Sequence, residues 1–335
     1  MNHDGYMFHQ FKNTFCGFKS INDILCLIFS KGLFNNTLTS YDIFKNQVIN
    51  KISKTGVISD IRHYLDNQLK RDLISLSFVD KNEIEVCDFK NWQILLNISN
   101  VNRGGCLFSS CFFNDNNNIY ILTSHNKVTY MYPSECIKVF DMKKNKVKEI
   151  QNSNENTYYI DSYYDSKFDK NFIVTCNDGH INFYDFQNNS LFKQYDSDKI
   201  YENIDDFVVD DRGSNKKLLG SCHSGIKIWD YNTGELLKKA ILSLENIYGL
   251  CLFGQNYLLA GTKNSIVFID LTKEKIINRI NVGLAGFHNA IASIKEINTE
   301  NGKFFICGGR WSDIILLENK EFEFTIKNKI ENLRD

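Results

Sequence analysis

Short runs of apolar residues, separated by polar turns, follow one another along the whole chain. In "SCHSGIKIWDYNTGELLKKA" (residues 221–240) an apolar run closes on Trp-Asp, a polar turn follows, and a second extended run begins. Runs of this length bounded by turn residues read as strands, not helices. Aligning the chain on Asp230 turns the unit into a repeat. Five-residue tracts ending in an acidic residue occur as "LTSYD" at Asp42, "IEVCD" at Asp88, "IKVFD" at Asp141, "INFYD" at Asp185, "IKIWD" at Asp230, "IVFID" at Asp270 and "IILLE" at Glu318. By difference of position these lie 46, 53, 44, 45, 40 and 48 residues apart.

Each copy has the same surroundings. A denser apolar run ending in small residues precedes it, as in "FIVTC", "LLGSC", "YLLAG" and "FFICG". A polar turn and a weaker strand follow, and then a further extended segment such as "NIYGLCLF". Four strands per unit at this period is a propeller pattern. Positions one and three of the tract are mostly aliphatic, position two is often polar (Glu85, Lys138, Asn182, Lys227), and position four is often large (Tyr41, Phe140, Tyr184, Trp229). Alternation puts positions two and four on one sheet face and one and three on the other. One blade cannot bury two faces alone, whereas a closed ring supplies neighbours to all. The expectation is therefore an all-β chain folded as a seven-bladed β-propeller of four-stranded antiparallel blades. It forms one domain over residues 1–335, with blades near 9–52, 53–98, 99–151, 152–196, 197–241, 242–281 and 282–330. "FHQFKNTF" (residues 8–15) is expected as the first strand. "EFEFTI" (residues 321–326) is expected as the last blade's own fourth strand, which leaves closure to face packing.

The chain resembles the WD40-repeat family over most of residues 9–330. "SCHSGIKIWDYNTGELL" carries the strongest match and "CNDGHINFYD" (residues 176–185) a good one. The literal Trp-Asp survives once, at Trp229–Asp230, and the family's Gly-His has its closest relic in "GFHNAIASI" (residues 286–294). The resemblance places the family's Asp-His-Ser-Trp hydrogen-bond network at His288, with Asp313 or Ser293 as partners. It also implies a rigid docking platform and no cofactor.

Composition narrows the function classes. A net charge of −1 argues against broad capture of nucleic acid or an anionic membrane. The longest aliphatic runs, such as "ILCLIF" (residues 24–29), are too short to cross a bilayer, so no membrane insertion is expected. The opening "MNHDGYMFHQFKN" lacks the basic and apolar regions of a secretory signal, so the protein is expected in the cytoplasm with its ten cysteines reduced and mostly buried. Asn-X-Ser/Thr matches at Asn35, Asn97 and Asn188 then have no bearing, in a chain so rich in Asn.

Reactive constellations are sparse. The chain has no phosphate-binding loop, nucleophile elbow, CxxC or zinc-type spacing. "RGG" (residues 103–105) and "CGG" (residues 307–309) read as turns or bulges. The acidic stretches 161–170 and 202–213 lack the ligand order of a calcium loop and read as solvated loop charge. "MKKNKVK" (residues 142–148) reads as a turn whose lysines stay in water. His180 and His223 follow similar turns but differ in register, so no metal site is expected.

One irregularity stands out. Ten residues separate Thr175 from Asp185, and ten separate Ala260 from Asp270, but eighteen separate Thr123 from Asp141. The insert "SHNKVTYMYPSE" (residues 124–135) holds Lys127, Tyr130, Met131, Tyr132, the chain's single proline Pro133, and Glu135. Family resemblance puts this connection on the face used most for partners. Tyr and Met suit interface cores, and proline lowers the cost of ordering a loop. The other reading is a longer hairpin whose aromatics fold back on the blade. Arg103, Tyr201, Tyr248 and Phe287 share the face as secondary candidates. The expected function is a non-enzymatic scaffold or adaptor for proteins or peptides, with no small-molecule substrate. The alternative is a hydrolase-like propeller enzyme, which requires acidic or His residues converging in the central channel.

Overall fold

The structure, a computed structural model, describes residues 15–19, 25–31, 35–99, 101, 105–107, 109–115, 118–124, 126–127, 137–143, 145–150, 157–199, 202–241, 245–282, 290–299, 302–309, 314–320 and 323–330. Within these, side chains are described except at residues 15–36, 105–106, 126–127 and 239–240. Among the described residues no helix is long and apolar enough to cross a membrane.

The chain is an all-β propeller of four-stranded antiparallel blades, and each sheet takes its strands in sequence order from one contiguous stretch. Six blades have all four strands described beyond backbone pairing, within residues 58–98, 110–150, 157–196, 204–241, 249–281 and 293–330. They are named here by their acidic residues: Asp88, Asp141, Asp185, Asp230, Asp270 and Glu318. The expected seven equivalent blades thus become six. The remaining four-stranded sheet, from Phe15–Lys19, Leu25–Lys31, Asn35–Asp42 and Gln47–Thr55, is described at its two inner strands in backbone pairing alone. Its outer two strands pack Leu38 and Ile52 on the Asp88 blade, and Tyr41 and Ile43 on the Glu318 blade. The last blade's fourth strand is Glu323–Ile330, and among the described residues none from the N-terminal part of the chain pairs in that sheet.

The third strand of each sheet explains the packing. Position four always enters the gap to the preceding sheet: Cys87, Phe140, Tyr184, Trp229, Ile269 and Leu317 all do so. Positions one and three enter the gap to the following sheet, as with Ile181 and Phe183 or Ile226 and Ile228. The core is accordingly divided into clusters, each shared by two neighbouring sheets. Trp229 is fully buried and donates its indole N–H to the Asp196 carbonyl of the preceding blade at 2.8 Å. The small residues that end each second strand make room for this packing. A Cβ on Gly220 would lie 2.9 Å from the Trp229 ring, and one on Gly261 would collide with the Ile291 carbonyl oxygen.

The acidic residue that marks each repeat builds the turn to the fourth strand. Asp230 Oδ1 accepts the N–H groups of Asn232 (2.9 Å) and Thr233 (2.7 Å), and Asp270 Oδ1 those of Thr272 (2.9 Å) and Lys273 (3.0 Å). Asp42, Asp88, Asp141 and Asp185 hold their turns in the same way. Aspartate suits this position because its short side chain reaches the backbone two and three residues on. Glu318 departs from the pattern and is held by ion pairs to Lys327 (3.0 Å) and Lys320 (3.5 Å). Four residues past the acid the backbone turns left-handed, at Asn46, Trp92, Asn189, Gly234 and Glu274. One residue of the fourth strand is then skipped in the ladder of every sheet, opposite the step from position three to position four.

Two outcomes follow from these turns. Glu274 carries φ 53° in a conformation that favours glycine, and its ion pair with Lys238 is solvent-exposed. Glu274→Gly should therefore raise stability by about 0.5–1 kcal/mol in urea unfolding. The second outcome concerns acid. The Thr233 N–H, ahead of the Thr233 hydroxyl and the Asn232 N–H, holds the Asp230 carboxyl below its usual range despite opposition from burial, and the Lys273 N–H does so for Asp270. A depressed folded pKa adds stability that is complete above the unfolded value, near 3.9, and is lost as pH falls through the folded value. The urea midpoint should hold from pH 7 to about 5 and drop below about 4, with a shallower drop in Asp230→Asn.

Candidate functional site

The insert springs from the Asp141 blade, between the strands Asn118–Thr123 and Ile137–Asp141. Its root is pinned. Ser124 donates its N–H (2.9 Å) and its hydroxyl (2.9 Å) to the Ser109 carbonyl and accepts the Ser109 N–H at 3.0 Å. Beyond this, Asn126–Lys127 pairs antiparallel with Gly105–Cys106, with Lys127 opposite Gly105. The insert is thus laced at its base to the linker that also carries Arg103. Tyr130, Met131, Tyr132, Pro133 and Glu135 lie outside the described residues, as do Arg103, Tyr201 and Phe287. His288 and Asp313, expected in the hydrogen-bond network with Ser293, also lie outside them.

Tyr248 is described and half-buried. Its N–H bonds the Gly261 carbonyl at 2.9 Å, its ring centroid lies 6.2 Å from that of His223, and its hydroxyl accepts from Asn246 at 3.4 Å. His223 sits 3.4 Å from the Asp205 carboxylate, and that contact, against the pull of burial, raises its pKa. His180 has a partner of its own, Asp196, at 2.7 Å. The two histidines therefore contact separate carboxylates, on adjacent blades. Tyr248 and His223 thus bring an aromatic ring, a phenolic hydroxyl and an imidazole side by side.

Asp169 and Asp211 are exposed, as solvated loop charge would be, but Asp165, Glu202 and Asp206 of the same stretches are buried, which corrects the sequence reading for them. Glu202 is buried and takes hydrogen bonds from Ser197 (3.0 Å), Ser224 and the wholly buried Lys227. Asp206 accepts the Leu250 N–H of the next blade at 2.9 Å. Asp165, fully buried, binds Lys216 at 2.8 Å and the Tyr231 hydroxyl at 2.7 Å. Nor does the lysine-rich turn simply face water: Lys148 donates to the Phe186 carbonyl at 2.7 Å and lies over that ring at 3.7 Å.

Sequence reading also missed the innermost polar cluster, where first strands of three successive blades meet. Arg62 of the strand Ile58–Asp66 donates Nε to Asp60 at 3.0 Å, Nη1 to Asp161 (3.2 Å) and the Tyr159 hydroxyl (3.3 Å), and Nη2 to Ser109 (3.3 Å) and the Ile160 carbonyl (3.2 Å). The same Asp60 oxygen accepts the Ser109 hydroxyl at 2.7 Å and the Ser110 N–H at 3.1 Å. Burial opposes the charge on Arg62, but Asp60, then Tyr159 and Asp161, outweigh it. Strand alternation puts Asp60 and Arg62 on one face, a faint local signal. Their partners lie 47 to 99 residues away, beyond the reach of any local pattern.

The cysteines whose side chains are described are free, and most are buried. Burial pushes the Cys87 thiol up to about 11 and that of Cys251 to about 12, so neither is a thiolate nucleophile near neutrality. Among the described residues no group of three or more His, Cys, Asp or Glu is placed to hold a metal ion. No protein-family model matches the chain, and no curated protein matches it.

The Arg62 cluster predicts a large stability effect. Arg62→Met leaves buried Asp60 and its neighbour Asp161 without their cation and should cost about 3–5 kcal/mol by denaturant unfolding. A loss below about 1 kcal/mol would show the clamp to be dispensable.

Proposed function

We propose that the chain is a divergent WD40-type propeller acting as a non-enzymatic platform for other proteins or peptides, with its main contact on the loop edge of the Asp141 blade. The observation that carries this reading is the short ladder between Asn126–Lys127 and Gly105–Cys106. It ties the base of the insert to the linker holding Arg103, so a partner meets two recognition segments fastened to one rigid edge. A loop fixed at its base loses less conformational freedom on binding, and Tyr130, Met131 and Tyr132 supply the side-chain chemistry of interface cores. Tyr248 and His223 provide a further contact point on the same face.

The inner cluster supports a platform over a channel enzyme. A catalytic group needs a proton or lone pair free for substrate. The Arg62 guanidinium is instead committed to five protein acceptors, and Asp60 and Asp161 neutralise it. These groups hold strands together. The free thiols of Cys87, Cys111, Cys176, Cys222, Cys251 and Cys307 favour an intracellular setting.

The test replaces residues 126–135 by an Asn-Gly turn and confirms that thermal unfolding is unchanged. Both forms are then used to purify partners from native extract. The intact chain should recover a stoichiometric partner that the variant loses. Recovery of the same partner by both would move the contact off the insert. A stoichiometric metal in the purified protein, together with no partner for either form, would favour the enzyme.

A further inference from the structure

Position two of the third strand is polar in four successive sheets, buried in three of them and half-buried at Lys138, and in three of the four its partner is evident. Glu85 meets Lys54 of the preceding sheet. Lys138 donates to the Val101 carbonyl in the linker before its blade, at 2.7 Å. Lys227 reaches Ser197, Asp198 and Glu202 in the linker before its own. The fourth, Asn182 of the Asp185 blade, is fully buried, yet neither its amide oxygen nor its amide nitrogen has a hydrogen-bond partner among the described residues.

Two neighbours share this condition. Thr175 lies directly opposite Asn182 in the ladder, and its hydroxyl has no partner among the described residues; nor has either amide atom of Asn177, two residues further along the strand. Both are fully buried. Alternation puts Thr175 and Asn177 on the face that carries Ile173 and Tyr184, which packs against Leu122, Ile137, Val139 and Ile150 of the Asp141 blade. Exchanging oxygen and nitrogen in either amide changes nothing, because both ends of each are unpartnered. Five polar atoms are therefore gathered in one seam between two blades, with apolar side chains across from them.

Buried polar groups are almost always satisfied, and leaving several unpaired would consume a large share of a protein's net stability. Ordered internal water is the usual remedy where two to four polar partners converge. We infer that Thr175, Asn177 and Asn182 form an internal water-binding site in the seam between the Asp141 and Asp185 blades. Water donates to the two amide oxygens and the threonine hydroxyl and accepts from the amide N–H groups. It thereby does for this blade what a linker side chain or carbonyl does for its neighbours.

The inference is independent of the platform reading, and its test reads a sign. Thr175→Val keeps the shape and removes the hydroxyl. If the hydroxyl binds water, the variant should lower the melting temperature by a few degrees; if the seam is dry, removing an unsatisfied hydroxyl should raise it. A crystal structure of the unaltered protein, at a resolution that shows ordered solvent, supplies the second measurement. A water within hydrogen-bond distance of Asn182 and of Thr175 or Asn177 is the expected result. A seam without solvent, or amides paired directly with protein groups, would overturn the site.

Discussion

Each blade of this protein must bury both of its faces at once, and the burden falls on the third strand. Its side chains alternate between two different neighbours: position four fills the gap behind, and positions one and three fill the gap ahead. No blade is stable by itself under that constraint, because either face alone would be an open apolar sheet. Other features follow from it. The small residues ending the second strands allow Trp229 and the 290–292 backbone to approach closely. The aspartate turns return the chain sharply enough for the fourth strand to cover the third.

The same constraint governs the polar interior. Charged side chains on the inner half of a blade are held by buried or half-buried partners, several of them across a blade boundary. Arg62 joins three first strands, Lys227 holds the linker leading into its blade, and Asp206 takes a backbone N–H from the next first strand. Apolar packing between sheets is tolerant of small slips, whereas a hydrogen-bonded guanidinium is not. These contacts fix the alignment of neighbouring blades.

Much of this was legible in the sequence. The repeat of five-residue tracts showed the blades, and the alternation within each tract showed that both faces are buried. The acidic end of the tract marked the turn, although its resemblance to the WD signature said nothing of the backbone N–H groups it accepts. The blade count was read too evenly: "LTSYD" matches the other tracts, but among the described residues only the outer half of its sheet shows its side-chain packing. The acidic stretches misled because charge density alone reads as exposure. Apart from Ser197, the side chains that bind Glu202 and Asp165 stand 22 to 66 positions away, where composition carries no signal. Polar position two was visible as a pattern, but its meaning depended on the linkers.

The skipped residue in each outer ladder bears on the rim of the ring. Val48, Ile94, Leu191, Phe192, Ile276 and Ile277 leave apolar surface exposed on strands that end their sheets. Flat edges of that kind invite another chain to add as a strand and propagate. Here a bulge shifts the hydrogen-bonding phase of every such edge and sharpens its twist close to the hairpin. An incoming strand would pair on one side of the bulge and fall out of step on the other. The irregularity that closes each turn therefore also guards the assembled ring against sticking edge to edge with its own copies.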